Sequence, residues 1–249
     1  MGITLDGWEG KMAVVTGASS GIGAAIVKRL LSEGLVVVGL SRRTVLAKDV
    51  EGDDPNRKGK FVYFKCDVTD EKNVVEVFDK INCAVGPIHA LINNAGVMFE
   101  TDLIDGDAEL WRKTFDTVVL SKCIVTREAI KSMNAHNMAG QIIHMNSVLG
   151  HVVYDIPKMN VYPATQYAIT ALTETLRLEL IAKGSKIKVT SLSPGPVDTP
   201  MLGSSEAVKS SLHQLLRPED VANAIVYILS TPPHVQVQEL TIRPVGEPY

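Results

Sequence analysis

The stretch Lys11–Gly34, KMAVVTGASSGIGAAIVKRLLSEG, decides how the whole chain is read. A short β-prone run ends at Thr16, a glycine-rich turn follows, and a helical pattern opens at the last two glycines. Strand, turn and helix together give the glycines a chemical meaning that a lone cluster lacks. Glycine lets the backbone turn sharply and approach a pyrophosphate, while the helix N-terminus presents free N–H groups and positive potential to the anion. The competing reading, a structural turn with no ligand, leaves the agreement of all three elements unexplained.

Outward from this unit the alternation continues. LVVVGL, KFVYFKCDV, HALINNAG, QIIHMNS, KIKVTSLSPG and VQELTIRP read as strands. Between them come the helical patterns EKNVVEVFDKI, a long helix from about Asp107 to Met133, ATQYAITALTETLRLELIAK and PEDVANAIVYILS. Strands alternating with helices imply βαβ units and a parallel sheet covered on both faces. The expected fold is therefore α/β: a doubly wound single parallel sheet, one domain over residues 1–249 that includes the substrate pocket. The polar segment TVLAKDVEGDDPNRKGK reads as a surface excursion. In the helix near Ala164, apolar residues from Tyr167 to Ile181 exceed the one stripe that sheet packing needs, which suggests a subunit contact in a homodimer or homotetramer, unless the helix lies deep within one subunit.

Bulk properties exclude several classes. The 249 residues are 45% hydrophobic and 21% charged, enough for one sizeable core in a soluble chain. A net charge of −3 with no basic run argues against nucleic acid as a partner. The longest apolar stretches are far short of a bilayer span and no charged, then apolar, leader opens the chain, so a cytoplasmic protein without membrane insertion is expected. Cys66, Cys83 and Cys123 lack metal-ligand spacing and read as reduced core residues. His144 and His151 read as structural or surface histidines, so no metal is expected.

The spacing Gly17-x-x-x-Gly21-x-Gly23 resembles that of the short-chain dehydrogenase/reductase family, and further segments share the resemblance. Asn93-Asn94-Ala95-Gly96 is similar to the family's NNAG, Asp67 (with Val68) to its adenine-contacting Asp, and Pro194-Gly195-Pro196-Val197-Asp198-Thr199 to the loop over the nicotinamide. TREAI, ATQYAITALTE and the C-terminal YILSTPPHVQVQELTIRP look most like the branch of insect farnesol dehydrogenases and vertebrate ketosteroid reductases. The resemblance implies a Rossmann fold and a nicotinamide dinucleotide held by Gly17, Ser19, Ser20, Gly21, Ile22, Gly23, Asp67, Val68, Asn94, Ala95, Gly96, Tyr162, Gln166, Pro194, Gly195, Val197 and Thr199. After the second strand, where an acid would meet a ribose 2′-hydroxyl, stand Arg42 and Arg43. They can pair with a 2′-phosphate, which favours NADP(H) over NAD(H), unless they merely face solvent.

Family members use Ser, Tyr, Lys and a helical Asn to move a hydride and a proton. Ser147 matches the Ser, and Tyr162 leads into the segment resembling the catalytic helix. The Lys position then holds Gln166, and counting from Trp111 the Asn position holds Val118. A second pair, Tyr154-x-x-x-Lys158, fits the pattern literally, but Pro157 disfavours helix at Ile156 and breaks the i, i+4 face the pair needs. It reads as a loop over the pocket. Met98, Phe99, Val148, Leu149, Tyr154, Met159 and Met201 are expected to line an apolar substrate pocket suited to a small lipophilic molecule. Two functions stay open: an NADP(H)-dependent oxidoreductase for an isoprenoid, steroid or fatty carbonyl or alcohol, weakened by Gln166 and Val118; or a catalytically silent relative serving as carrier, sensor or interaction module.

Overall fold

The computed structural model describes residues 5–45, 58–202 and 214–247. Residues 46–57 of the expected surface excursion fall outside these residues, and its last residue, Lys60, opens a strand. Seven strands form one parallel sheet in the order β3-β2-β1-β4-β5-β6-β7. They are β1 (Met12–Thr16), β2 (Val36–Ser41), β3 (Lys60–Lys65), β4 (Ile88–Asn93), β5 (Gln141–Met145), β6 (Lys188–Pro194) and β7 (Glu239–Ile242). β1 and β5 are buried along their whole length, as strands covered on both faces must be. The order reverses between β1 and β4, and such a reversal opens a crevice at the carboxyl ends of the strands.

The helices are α1 (Gly21–Ser32), α2 (Glu71–Ala84), α3 (Ala108–Phe115), α4 (Ser121–Ala135), α5 (Tyr162–Ala182) and α6 (Pro218–Ser230). α1 and α6 cover one face of the sheet through a core that includes Ile26, Leu30, Ile225 and Leu229. α2 and α4 cover the other through Phe78, Ile81, Val125 and Met133. Their ends follow local chemistry. Asp70 caps α2 by accepting from the Asn73 amide, and Pro218 takes the first position of α6, where its missing N–H costs nothing.

The long helix expected over 107–133 is one rod with a fault. Asp116–Leu120 forms a π-turn between α3 and α4, and the Ser121 amide reaches back to the Asp116 carbonyl. Such bulges recur at functional sites because they swing side chains out of helical register. The three cysteines differ from expectation: only Cys66 is buried, while Cys83 and Cys123 are exposed, all as free thiols. No helix among the described residues is long and apolar enough to cross a membrane.

Candidate active site

A cleft of about 570 Å³ runs along the carboxyl ends of β1, β2 and β4. Its first wall is the glycine turn. Gly17 takes a φ of +68°, and a Cβ on Gly23 would stand 2.2 Å from the Gly17 carbonyl oxygen, so neither position accepts a larger residue. Ser20, ahead of α1, makes no side-chain cap, which leaves the first amides of the helix to an anion in the cleft. Arg43 extends over the same turn, donating to the Ser19 hydroxyl at 3.2 Å and the Ser20 hydroxyl at 2.9 Å. Arg42, Asp67 and Val68 complete that end.

The second wall is the Asn93–Gly96 turn, held by side chains from two elements. Thr16 Oγ1 accepts from the amides of Asn94 and Ala95, each at 2.9 Å. Asn93 Nδ2 donates to the Lys122 carbonyl at 3.0 Å and to Thr126 Oγ1 at 3.1 Å, tying the turn to α4. These residues fit a dinucleotide: glycines that permit close backbone approach, uncapped amides for a pyrophosphate, and a guanidinium at the adenosine end.

The structure brings Tyr162, Gln166 and Val118 together at the other end of this cleft. Tyr162 opens α5, two residues before the expected helix start. Its phenol is pushed up to about 12 by burial. Gln166, one turn on, is buried and donates to Thr165 Oγ1 at 3.4 Å. Val118 is 1% exposed and sits in the π-turn. Ser147 follows β5 and accepts from the Leu149 amide at 3.2 Å. Ser147 lines a smaller adjoining pocket of about 120 Å³, and Tyr162 lines both.

That smaller pocket is walled by Met98, Val148, Leu149, Tyr154, Met159 and Met201, six of the seven residues expected there. Phe99 lines the large cleft instead. Pro194, Gly195 and Val197, expected on the cofactor side, line the small pocket, and Thr199 lines both. The loop from 153 to 159 contributes selectively: Tyr154, Ile156 and Met159 turn inward, while Val153, Asp155, Pro157 and Lys158 are exposed.

Tyr154 and Lys158 do not form a pair. Lys158 has a φ of +66° and makes an ion pair with Asp102 at the surface, which raises its ammonium above the usual range. Tyr154 faces the pocket, its phenol raised chiefly by burial, with Arg243 opposing the shift. His144 is a structural histidine, bonded to Thr126 at 3.0 Å and Thr173 at 2.9 Å and pushed to about 3, first by burial and then by Lys122. His151 bonds Ser193 at 3.0 Å. Among the described residues no three His, Cys, Asp or Glu side chains gather as a metal site.

Three site residues escape sequence reading. Asn146 lines both cavities and donates to Thr170 at 2.9 Å and Ser191 at 3.1 Å. Glu247 brings a carboxyl into the small pocket, its pKa raised first by burial. Lys122 is 3% exposed and lines the cofactor cleft. The last had a signal in retrospect, a lysine within the apolar pattern VVLSKCIV.

The sheet reversal and the glycine turn ahead of α1 define a dinucleotide-binding α/β protein. The chain belongs to the short chain dehydrogenase family, whose profile matches residues 11–209. It is 46% identical over 247 residues to a farnesol dehydrogenase of Aedes aegypti, covering 98% of this chain and 100% of that protein. It is 38% identical to dehydrogenase/reductase SDR family member 11 of Mus musculus, with 96% of each chain covered. Among solved structures, an alcohol dehydrogenase from Thermococcus sibiricus complexed with 5-hydroxy-NADP superposes with a TM-score of 0.84 at 25% identity, covering 95% of this chain and 97% of that one.

Proposed function

We propose that this protein is an NADP(H)-dependent carbonyl reductase of small lipophilic substrates, working in the cytoplasm as a homo-oligomer. The observation that carries the cofactor choice is Arg43, held over the glycine turn by Ser19 and Ser20 at the place a 2′-phosphate would occupy. The NADP-type ligand of the Thermococcus neighbour supports it. The apolar walls of the small pocket, and the likeness to a farnesol dehydrogenase, favour an isoprenoid-type aldehyde or ketone over a polar one.

When bound, the reduced nicotinamide supplies a hydride to the carbonyl carbon. The chain's own task is to hold the carbonyl and deliver a proton to its oxygen. Ser147 and Tyr162 do so as neutral donors, Tyr162 giving up its phenolic proton as the alkoxide forms. A phenol held near 12 is protonated throughout the neutral range, which suits reduction. Alcohol oxidation needs the phenolate, and Gln166 brings no charge to stabilise it. The pair at Gln166 and Val118 therefore biases the enzyme toward reduction.

One observation favours a second reading, a silent binding protein: an uncharged Gln166 beside a phenol raised by burial alone. Fluorescence titration with NADPH and NADH, followed by NADPH consumption on apolar aldehydes and ketones, separates the two. The reductase reading expects tighter NADPH binding and measurable turnover. Binding with no turnover in the natural chain, and turnover restored by Gln166→Lys with Val118→Asn, would establish the silent reading.

A further inference from the structure

Among the described residues that line the cofactor cleft, Lys122 is the one buried cation, and the mechanism leaves it unused. It stands in the first turn of α4, four residues beyond Val118 and directly after the fault in the helix. Its Nζ donates to the Ala95 carbonyl at 3.0 Å, and among the described residues that is its hydrogen-bond partner. An ammonium carries three donors, so two remain for whatever fills the cleft. A buried ammonium with one neutral acceptor is expensive, and an apolar side chain of similar length would pack there without that cost. The cleft wall around it includes Ala95, Val118, Tyr162 and Gln166, the end where the lysine normally expected at 166 is missing.

We propose that Lys122 holds the nicotinamide end of the dinucleotide, donating from α4 the charged hydrogen bonds that a lysine at position 166 would give from α5. The inference rests on the reading of the cleft as a cofactor site. It divides the missing lysine's two tasks. Lys122 takes the holding of the cofactor; the acidification of Tyr162 is left undone, and burial alone sets that phenol.

The cleft end is suited to this test because little else there titrates. Burial lowers the Lys122 ammonium to about 7, opposed by Cys123. The groups facing it are Cys123 on its own helix, raised by burial, His144 on β5 at about 3, and Tyr162 on α5 at about 12. None of these changes charge near pH 8. A bound polyanion raises the lysine's affinity for its proton, so NADPH binding at pH 8 takes up protons, whereas a 2′-phosphate is already fully ionised there.

The experiment is calorimetric titration of NADPH into the natural chain, Lys122→Met, Lys122→Gln and Lys122→Met with Gln166→Lys, at pH 8 in two buffers of different ionisation enthalpy. The natural chain is expected to take up a fraction of a proton. Lys122→Met and Lys122→Gln lose that uptake and bind about tenfold or more weakly, the worth of a charged hydrogen bond, while Gln166→Lys in the Met variant restores affinity. Far-ultraviolet dichroism confirms that each variant is folded, and the Gln variant keeps polar donors should the Met variant fail to fold. Unchanged affinity and uptake in both variants would overturn the role of Lys122 while leaving the cofactor site standing. No NADPH binding by the natural chain itself would overturn both.

Discussion

At the scale of single residues, the two tyrosines show why a literal motif misleads. Tyr154-x-x-x-Lys158 has the right letters, but Pro157 and the left-handed Lys158 and Asn160 put the segment outside any helix, and Lys158 is spent on Asp102. Tyr162 has a glutamine four residues on and still faces both cavities. Replacing Lys158 with Ala should leave NADPH turnover within about twofold, since exposed ion pairs contribute little. Lys122 offers a further test through stability. Its folded pKa of about 7 lies below the ordinary 10.5, so between those values the unfolded chain binds more protons and stability rises with pH. The penalty is full below pH 7, bounded by about 5 kcal/mol, and fades toward pH 10. The difference in thermal midpoint between Lys122→Met and the natural chain should therefore favour the variant most at pH 6.5 and shrink by pH 9.5; a difference independent of pH would show that the ammonium is not strained. The residue identities at this end were legible, but the burial of Lys122 was not. A lysine in an apolar helical run reads equally as a solvent-facing gap in the stripe, and only the approach of the Ala95 carbonyl settles where it points.

At the scale of elements, the strand–glycine turn–helix unit was legible because steric demand is local. Gly17 needs a left-handed backbone, and the Cβ excluded at Gly23 is excluded by its own turn. Gly23→Ala should lower the thermal midpoint and abolish cofactor binding together, as measured by melting with and without NADPH. The β2 end adds a selectivity test: Arg43→Ala should weaken NADPH binding about tenfold while leaving NADH nearly unchanged, since only the former carries the 2′-phosphate. The π-turn at 116–120 was not legible. Its residues DTVVL hold no proline or glycine that would mark a break, so the letters do not set it apart from the helices on either side. The same holds for Phe99 and the Pro194–Val197 loop, whose walls exchanged places because chain order does not say which side of Tyr162 a loop will pass.

At the scale of the whole molecule, the alternation of strands and helices was enough to give the parallel sheet, since βαβ crossovers leave few topologies open. Assembly is less directly readable. Tyr167, Leu178 and Ile181 on α5 and Leu120 beside α4 are exposed in the single chain, while Ile169 and Leu180 of α5 are buried. The excess of apolar residues in α5 is therefore real and points outward, the pattern expected of a surface covered by a second copy. Sedimentation should find the chain larger than a monomer, and Leu178→Asp should shift it toward monomer; a monomeric natural chain would remove the oligomer from the account.

On this reading Tyr162 donates a proton in an NADPH-dependent reduction without a lysine at 166. The direct measurement is the rate of NADPH consumption with an isoprenoid aldehyde by the natural chain and by Tyr162→Phe, both shown by fluorescence to be saturated with cofactor. Turnover is expected in the natural chain, with a loss of about 10²–10⁴-fold in the phenylalanine variant. Equal rates in the two, or no consumption by the saturated natural chain, would contradict it.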